Sequence, residues 1–195
     1  MTDAVVRAAV TSFFQECIIT DPPQPLQIDG LSQVLMEFPW LLLQNQFDMK
    51  VATTPGAFGA VGIVHLVSRD ESRLTVGATD PTAQIPTMPT GSKMVSHKIG
   101  FVIVYQYLVP SNLEGQWQDI WVMPLDNLID GITAKIRSDP SFGTGSAGTG
   151  NTTTIWQGGQ DQNDIRIVRD QAQNNGGLIT LWAAIEFDLD EIVTG

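Results

Sequence analysis

Two histidines, His65 and His97, are the only imidazoles in this chain of 195 residues. A histidine is the commonest general acid or base near neutral pH, so each is a candidate catalytic group. Each falls in a strand-like run with apolar neighbours, and the two are expected to lie far apart along one strand pair. An enzyme using His65 or His97 would need a carboxylate beside it in a pocket. Packed or edge positions are the reading we favour. Two histidines and one cysteine, Cys17, offer no zinc-ligand spacing. Asp126 and Asp130 stand four apart on one helical face, opposite an apolar stripe, and read as a solvated surface. Asp188, Asp190 and Glu191 lack the spacing of a calcium loop and read as an acidic tail. The run Gly143-Thr144-Gly145-Ser146-Ala147-Gly148-Thr149-Gly150 resembles a phosphate cradle only in glycine content. It has no Gly-Lys-Ser/Thr and leads into a strand. No catalytic, cofactor-binding or metal-binding residue is assigned, and no cofactor is expected.

Composition narrows the classes further. The chain carries 21 acidic and 10 basic residues, a net charge of −11. Gripping phosphates requires clustered Lys and Arg, and here the basic residues are scattered from Arg7 to Arg169. DNA is therefore expected at most as something that passes by without sticking. A hydrophobic fraction of 43% with five Trp and eight Phe supplies a real core. Cys17 falls on the buried face of a helix and reads as a reduced structural thiol. The sequence shows no signal peptide and no apolar run near the ~20 residues of a membrane span. A soluble protein made in a cytoplasm, without a membrane partner, is the expectation.

The elements are organised around Met94–Val109. Its odd positions, from Val95 to Val109, are apolar or aromatic except His97, which is the period of a strand with one buried face. Sixteen residues would span ~50 Å, beyond the reach of a small core. Ala60–Val67 reads as a central strand that continues through Ser68–Arg73 as a solvated one. The two should pair antiparallel, as a hairpin arm over about 60–109 whose tip, Thr79–Ser92, is a proline-rich loop. Such an arm invites a partner chain.

Around it, Asp3 caps a helix carrying Val6, Val10, Phe13, Phe14 and Cys17, which must end before Asp21-Pro22-Pro23. Asp29 is expected to cap a short second helix with Leu31, Val34, Leu35 and Phe38 on its apolar stripe, before Pro39. Trp40–Leu43 and Phe47–Thr53 read as short strands, and Thr54-Pro55-Gly56 as a turn. Leu125, Leu128, Ile129, Ile132 and Ile136 mark a further helix that starts or kinks near Pro124 and stops by Asp139-Pro140. After the flexible loop at 143–151, strands are expected at Thr152–Gln157, Ile165–Arg169 and Leu178–Leu189. Asn174-Asn175-Gly176-Gly177 is a hairpin signal. The expectation is one domain over 1–195 of class α+β: a mixed, mostly antiparallel sheet, helices packed on one face, and a long projecting β-hairpin.

The order and pattern of these elements resemble the tail terminator, or tail completion, proteins of tailed bacteriophages. The resemblance rests on the N-terminal helix ending before a proline and on the strand pair around Gly62-Ile63-Val64-His65-Leu66 and Phe101-Val102-Ile103-Val104. It also rests on the helix Leu125-Asp126-Asn127-Leu128-Ile129-Asp130-Gly131-Ile132 running into Arg137-Ser138-Asp139-Pro140. Its last part is Thr154-Ile155-Trp156-Gln157-Gly158-Gly159 with the closing strand Ile185-Glu186-Phe187-Asp188-Leu189. The loops at 79–92 and 143–151 match no motif of that family.

The resemblance implies a structural virion protein. Members form rings, typically hexamers, that cap the tail tube, end its elongation and dock the tail onto the head connector. The implied partners are other copies of the chain, the tail tube protein and the connector or stopper, in the neck of the virion. Three other readings stay open: another neck or head-completion connector, an adaptor that binds by strand addition, and the histidine enzyme.

Overall fold

A computed structural model describes residues 3–18, 27–37, 54–73, 93–111, 120–139, 141–142, 155–157 and 165–193. Helix α1 spans Asp3–Gln15 and helix α2 spans Val122–Ser138. Seven strands are described: β1 Leu31–Met36, β2 Phe58–Arg73, β3 Lys93–Leu108, β4 Ile155–Gln157, β5 Arg166–Arg169, β6 Gln173–Asn175 and β7 Leu178–Val193. They form one mixed, mostly antiparallel sheet in the order β1-β2-β3-β7, with β4, β5 and β6 along the far side of β7. This is an α+β fold. The expected strands at Trp40–Leu43 and Phe47–Thr53, and the loops at 79–92 and 143–151, lie outside the described residues.

The strand pair runs in the expected antiparallel register, from Phe58↔Tyr107 to Arg73↔Lys93. β7 also flanks β3 along its whole length, from Leu108↔Leu178 to Lys93↔Val193. β2 and β3 thus continue into β7 within the one sheet, and β3 is hydrogen-bonded on both edges from end to end. Its odd residues from Val95 to Tyr107 are all buried, as are the odd residues of β7 from Ile179 to Glu191. Period-two patterning therefore predicted the face correctly.

Both helices lie on that face. Val6, Val10, Phe13, Phe14 and Cys17 of the first helical stretch are buried, as are Leu125, Leu128, Ile129, Ile132 and Ile136 of α2. The Phe14 ring sits 4.3 Å from that of Phe101 on β3. Phe142, just past α2, stacks on Phe187 of β7 at 5.4 Å. Tyr105 donates its hydroxyl to the Trp121 carbonyl at 3.0 Å. Burial, then the neighbouring Tyr107, pushes the Tyr105 phenol well above its ordinary range. Burial likewise raises the Cys17 thiol, against the pull of Lys135, as a structural thiol requires. No helix among the described residues is long and apolar enough to cross a membrane.

One expectation is overturned. The stretch after Asp29 is not a helix but β1, parallel to β2 from Leu31↔Ala60 to Met36↔Val64. The reason is a bulge between Leu31 and Gln33. One extra residue puts Leu31 and Val34 on the same buried face with two exposed residues between them, which copies helical spacing. Gly30, at φ +84°, makes the entry turn, where a Cβ would also strike the Phe58 ring. A second correction concerns Asp188–Glu191. They are not a tail, because β7 continues to Val193 and Glu191 is fully buried.

The turn signals hold. Ala57 donates to the Thr54 carbonyl at 2.9 Å, across Pro55 and Gly56, whose φ is +83°. Gly176 and Gly177, at φ +61° and +89°, join β6 to β7 with Asn175 opposite Leu178, as a two-residue hairpin demands. Gly62 on β2 is needed for a different reason. A Cβ there would lie 2.2 Å from Cζ of Phe101. Gly62→Ala should therefore destabilise the fold by about 1–3 kcal/mol through overpacking, read as a lower urea midpoint. Phe101→Leu in the same chain should recover part of the loss. An unchanged midpoint for Gly62→Ala would refute this packing.

Candidate functional site

The two histidines lie on opposite faces of the sheet. His65 pairs with Gly100, three residues along β3 from His97, and His97 pairs with Arg69. His97 belongs to the helix-facing set with Ile99 and Phe101, whereas Gly100 and His65 face the other way. The imidazoles do not share a site, but each has a carboxylate.

His97 Nε2 lies 3.1 Å from Glu191 Oε2, and both side chains are fully buried. Register places Glu191 beside Val95, one step diagonal to His97 on the same face, within side-chain reach. The Nε2–H can donate to the carboxylate. His97 Nδ1 is buried with no hydrogen-bond partner among the described residues. A general base must reach the proton it takes, and this pair is closed to solvent. It serves as a polar tie between β3 and β7 inside an apolar layer.

The other cluster sits at the end of β1. Glu37 adopts φ +72° while its amide donates to the Val64 carbonyl at 2.9 Å. One carboxylate oxygen accepts from Arg7 of α1. The other lies 3.4 Å from His65 Nδ1. A single carboxylate thus ties the first helix to β2, and the left-handed backbone of Glu37 is held by contacts on both sides. Arg7, Glu37 and His65 are partly exposed, at 25%, 36% and 40% of their side-chain areas. Next along β2, Arg69 reaches Asp3 at 3.0 Å and Glu71 at 3.4 Å.

Other groups singled out from the sequence separate. Asp126 meets Arg169 of β5 at 2.6 Å, while Asp130 is exposed. Asp190 accepts from Ser96 at 2.6 Å. Asp188 is exposed. Among the described residues no three His, Cys, Asp or Glu side chains could hold a metal ion. A half-open cleft of about 390 Å³ is lined by Asp29, Phe58, Ile120, Met123, Pro124 and Asn127. It offers one carboxylate and one amide on apolar walls and contains neither histidine.

Spacing could not reveal Arg7, Glu37 and Glu191 as partners, because each contact joins elements distant in the chain. The alternation of β7 placed Glu191 on its inner face, and that was the one available signal.

Breaking a buried pair strands the remaining partner. Glu191→Ala should cost about 3–5 kcal/mol. Glu37→Ala, at a half-exposed site, should cost about 0–1 kcal/mol. Urea unfolding of both variants checks the contrast, and equal losses would refute it.

No protein-family model matches the chain, and comparison with curated proteins gives no match.

Proposed function

We propose that the chain is a structural assembly protein, a phage tail terminator that forms a ring on the tail tube, ends its growth and presents a face to the head connector. The observation that carries this reading is a mismatch of lengths. β2, β3 and β7 each hold 16 residues, or ~50 Å of strand. The helices packed on them, of 13 and 17 residues, reach only ~20–25 Å. A single-domain core does not need strands of that length. β3 and β7 stay buried on their inner face over that length, while β2 runs on as an exposed strand from Val67 to Glu71, a margin useful to a chain that must reach a neighbour.

Charge is compatible with the role. A net charge of −11 suits the wall of a channel through which DNA slides without being held. The residues from Val67 to Glu71 on β2 are exposed, giving a solvated outer margin to a sheet that is apolar at its base. The histidine–carboxylate pairs support assembly before catalysis, since one is sealed in the core and the other braces α1 against β2. In this reading the partners are further copies of the chain, the tail tube protein and the connector, and the protein resides in the neck of the virion.

The test is polymerisation of tail-tube subunits with and without the chain. Shorter tubes of limited length, with added density at one end in negative-stain images, are expected. Unchanged tube lengths with no end density would overturn the terminator reading. Binding to portal-side proteins instead would mark a head-completion connector.

A further inference from the structure

The sheet ends in two unlike open margins. On one side, β1 covers β2 only as far as Met36↔Val64. Beyond it, Leu66–Asp70 pairs with β3 on one edge and has no strand on the other among the described residues. On the opposite side, β5 pairs with β7 and likewise has no outer strand among the described residues. All four β5 residues are exposed, with Ile167 at 42% and Val168 at 40%. Val67, the extra residue of a bulge between Leu66 and Ser68, is 47% exposed.

We infer that β5 of one copy adds to Leu66–Asp70 of β2 in the next, joining the sheets head to tail. This rests on the ring reading above and names its interface. Strand direction permits it. β2 and β3, β3 and β7, and β7 and β5 are each antiparallel. A copy related by rotation therefore presents β5 antiparallel to β2. Chain order then places Arg166 toward Asp70 and Arg169 toward Val67.

The chemistry of the margins is complementary. Asp70 makes no ion pair among the described residues, and Arg166 is 69% exposed with only a 3.6 Å contact to Glu186. Val67 faces Arg169 in this register and lies diagonal to Ile167 on the same face, adding an apolar contact. Pairing β5 with β5 of another copy would set Arg166 against Arg169, and like charges across a ladder are unfavourable. The bulge and charges on β2 discourage indiscriminate pairing, so the margin selects a matching edge. Unlike surfaces that meet head to tail form rings where the rotation between copies closes, and open filaments where it does not.

Register adds a geometric reason. Through β7 and β3, Arg166–Arg169 lies level with His65–Gly62, the part of β2 next to β1. Pairing Arg169 with Val67 places it five residues beyond Gly62, one of them the bulge residue, a net advance of four. Adding β5 there staggers each copy along the strands by about 13 Å. Stagger of this kind accompanies the strand tilt of closed sheets.

The test uses Val67→Cys and Arg169→Cys, which face each other in this register, in the full chain at high concentration with mild oxidation. Buried Cys17 in the unmodified chain is the control, and thermal unfolding of each variant verifies the fold. The double variant should give a ladder of covalent multimers, and a mixture of the two single variants should stop at dimers. Asp70→Arg should cut cross-linking by roughly tenfold through like-charge contact, and adding Arg166→Asp should restore it. A double variant that stays monomeric, or Val67→Cys that links to itself, would overturn the inference. Negative-stain images of the unmodified chain on tail tubes then separate the cases. Rings without cross-links remove this interface and keep the ring reading, whereas no rings and no cross-links remove both.

Discussion

The structure depends on one strand satisfying two demands along its whole length. β3 must pair its backbone on both edges, with β2 and with β7. Its inner face must also stay buried from Val95 to Tyr107. A slip of one residue would turn that face toward solvent, so register, helix placement and the small-residue positions are fixed together. Gly62 exists to admit the Phe101 ring, which in turn receives Phe14 from α1. Near the end of β3 the apolar layer gives way to His97 and Glu191, which meet each other inside it.

Two bulges set where this order ends. The one in β1 lets a short parallel strand bury both Leu31 and Val34. The one at Val67 reverses which residues of β2 face the helices. Before it, Val64 and Leu66 stand beside Phe101 and Ile99; after it, Arg69 stands beside His97. The inner face of β2 thus changes from apolar to charged within one step. Arg69 then meets Asp3 at the start of α1. The strand continues while the core beneath it stops, and that is the physical basis for a solvated margin on an otherwise buried sheet.

Much of this was legible in the sequence because it rests on period and turn chemistry. The alternation of β3 and β7, the stripes of both helices and the Gly176-Gly177 turn all predicted their elements. β1 was not legible, since its bulge imitates the three-residue spacing of a helix. The extent of β7 was masked by acidic residues that look like a tail until His97 is found opposite Glu191. The Arg7–Glu37–His65 cluster left no signal, because its members come from α1, the end of β1 and β2. Such contacts are a product of topology, and no local pattern encodes them.

The most direct test of the account is hydrogen exchange on the chain, free and then bound to tail tubes. In the free chain, amides from Lys93 to Leu108 should all be slow, including the end near His97, because both edges of β3 are paired. On the tube, new protection should appear in Leu66–Asp70 and in Arg166–Arg169. A fast-exchanging outer half of β3, or no change at either margin on addition of tubes, would contradict an extended sheet that works by assembly.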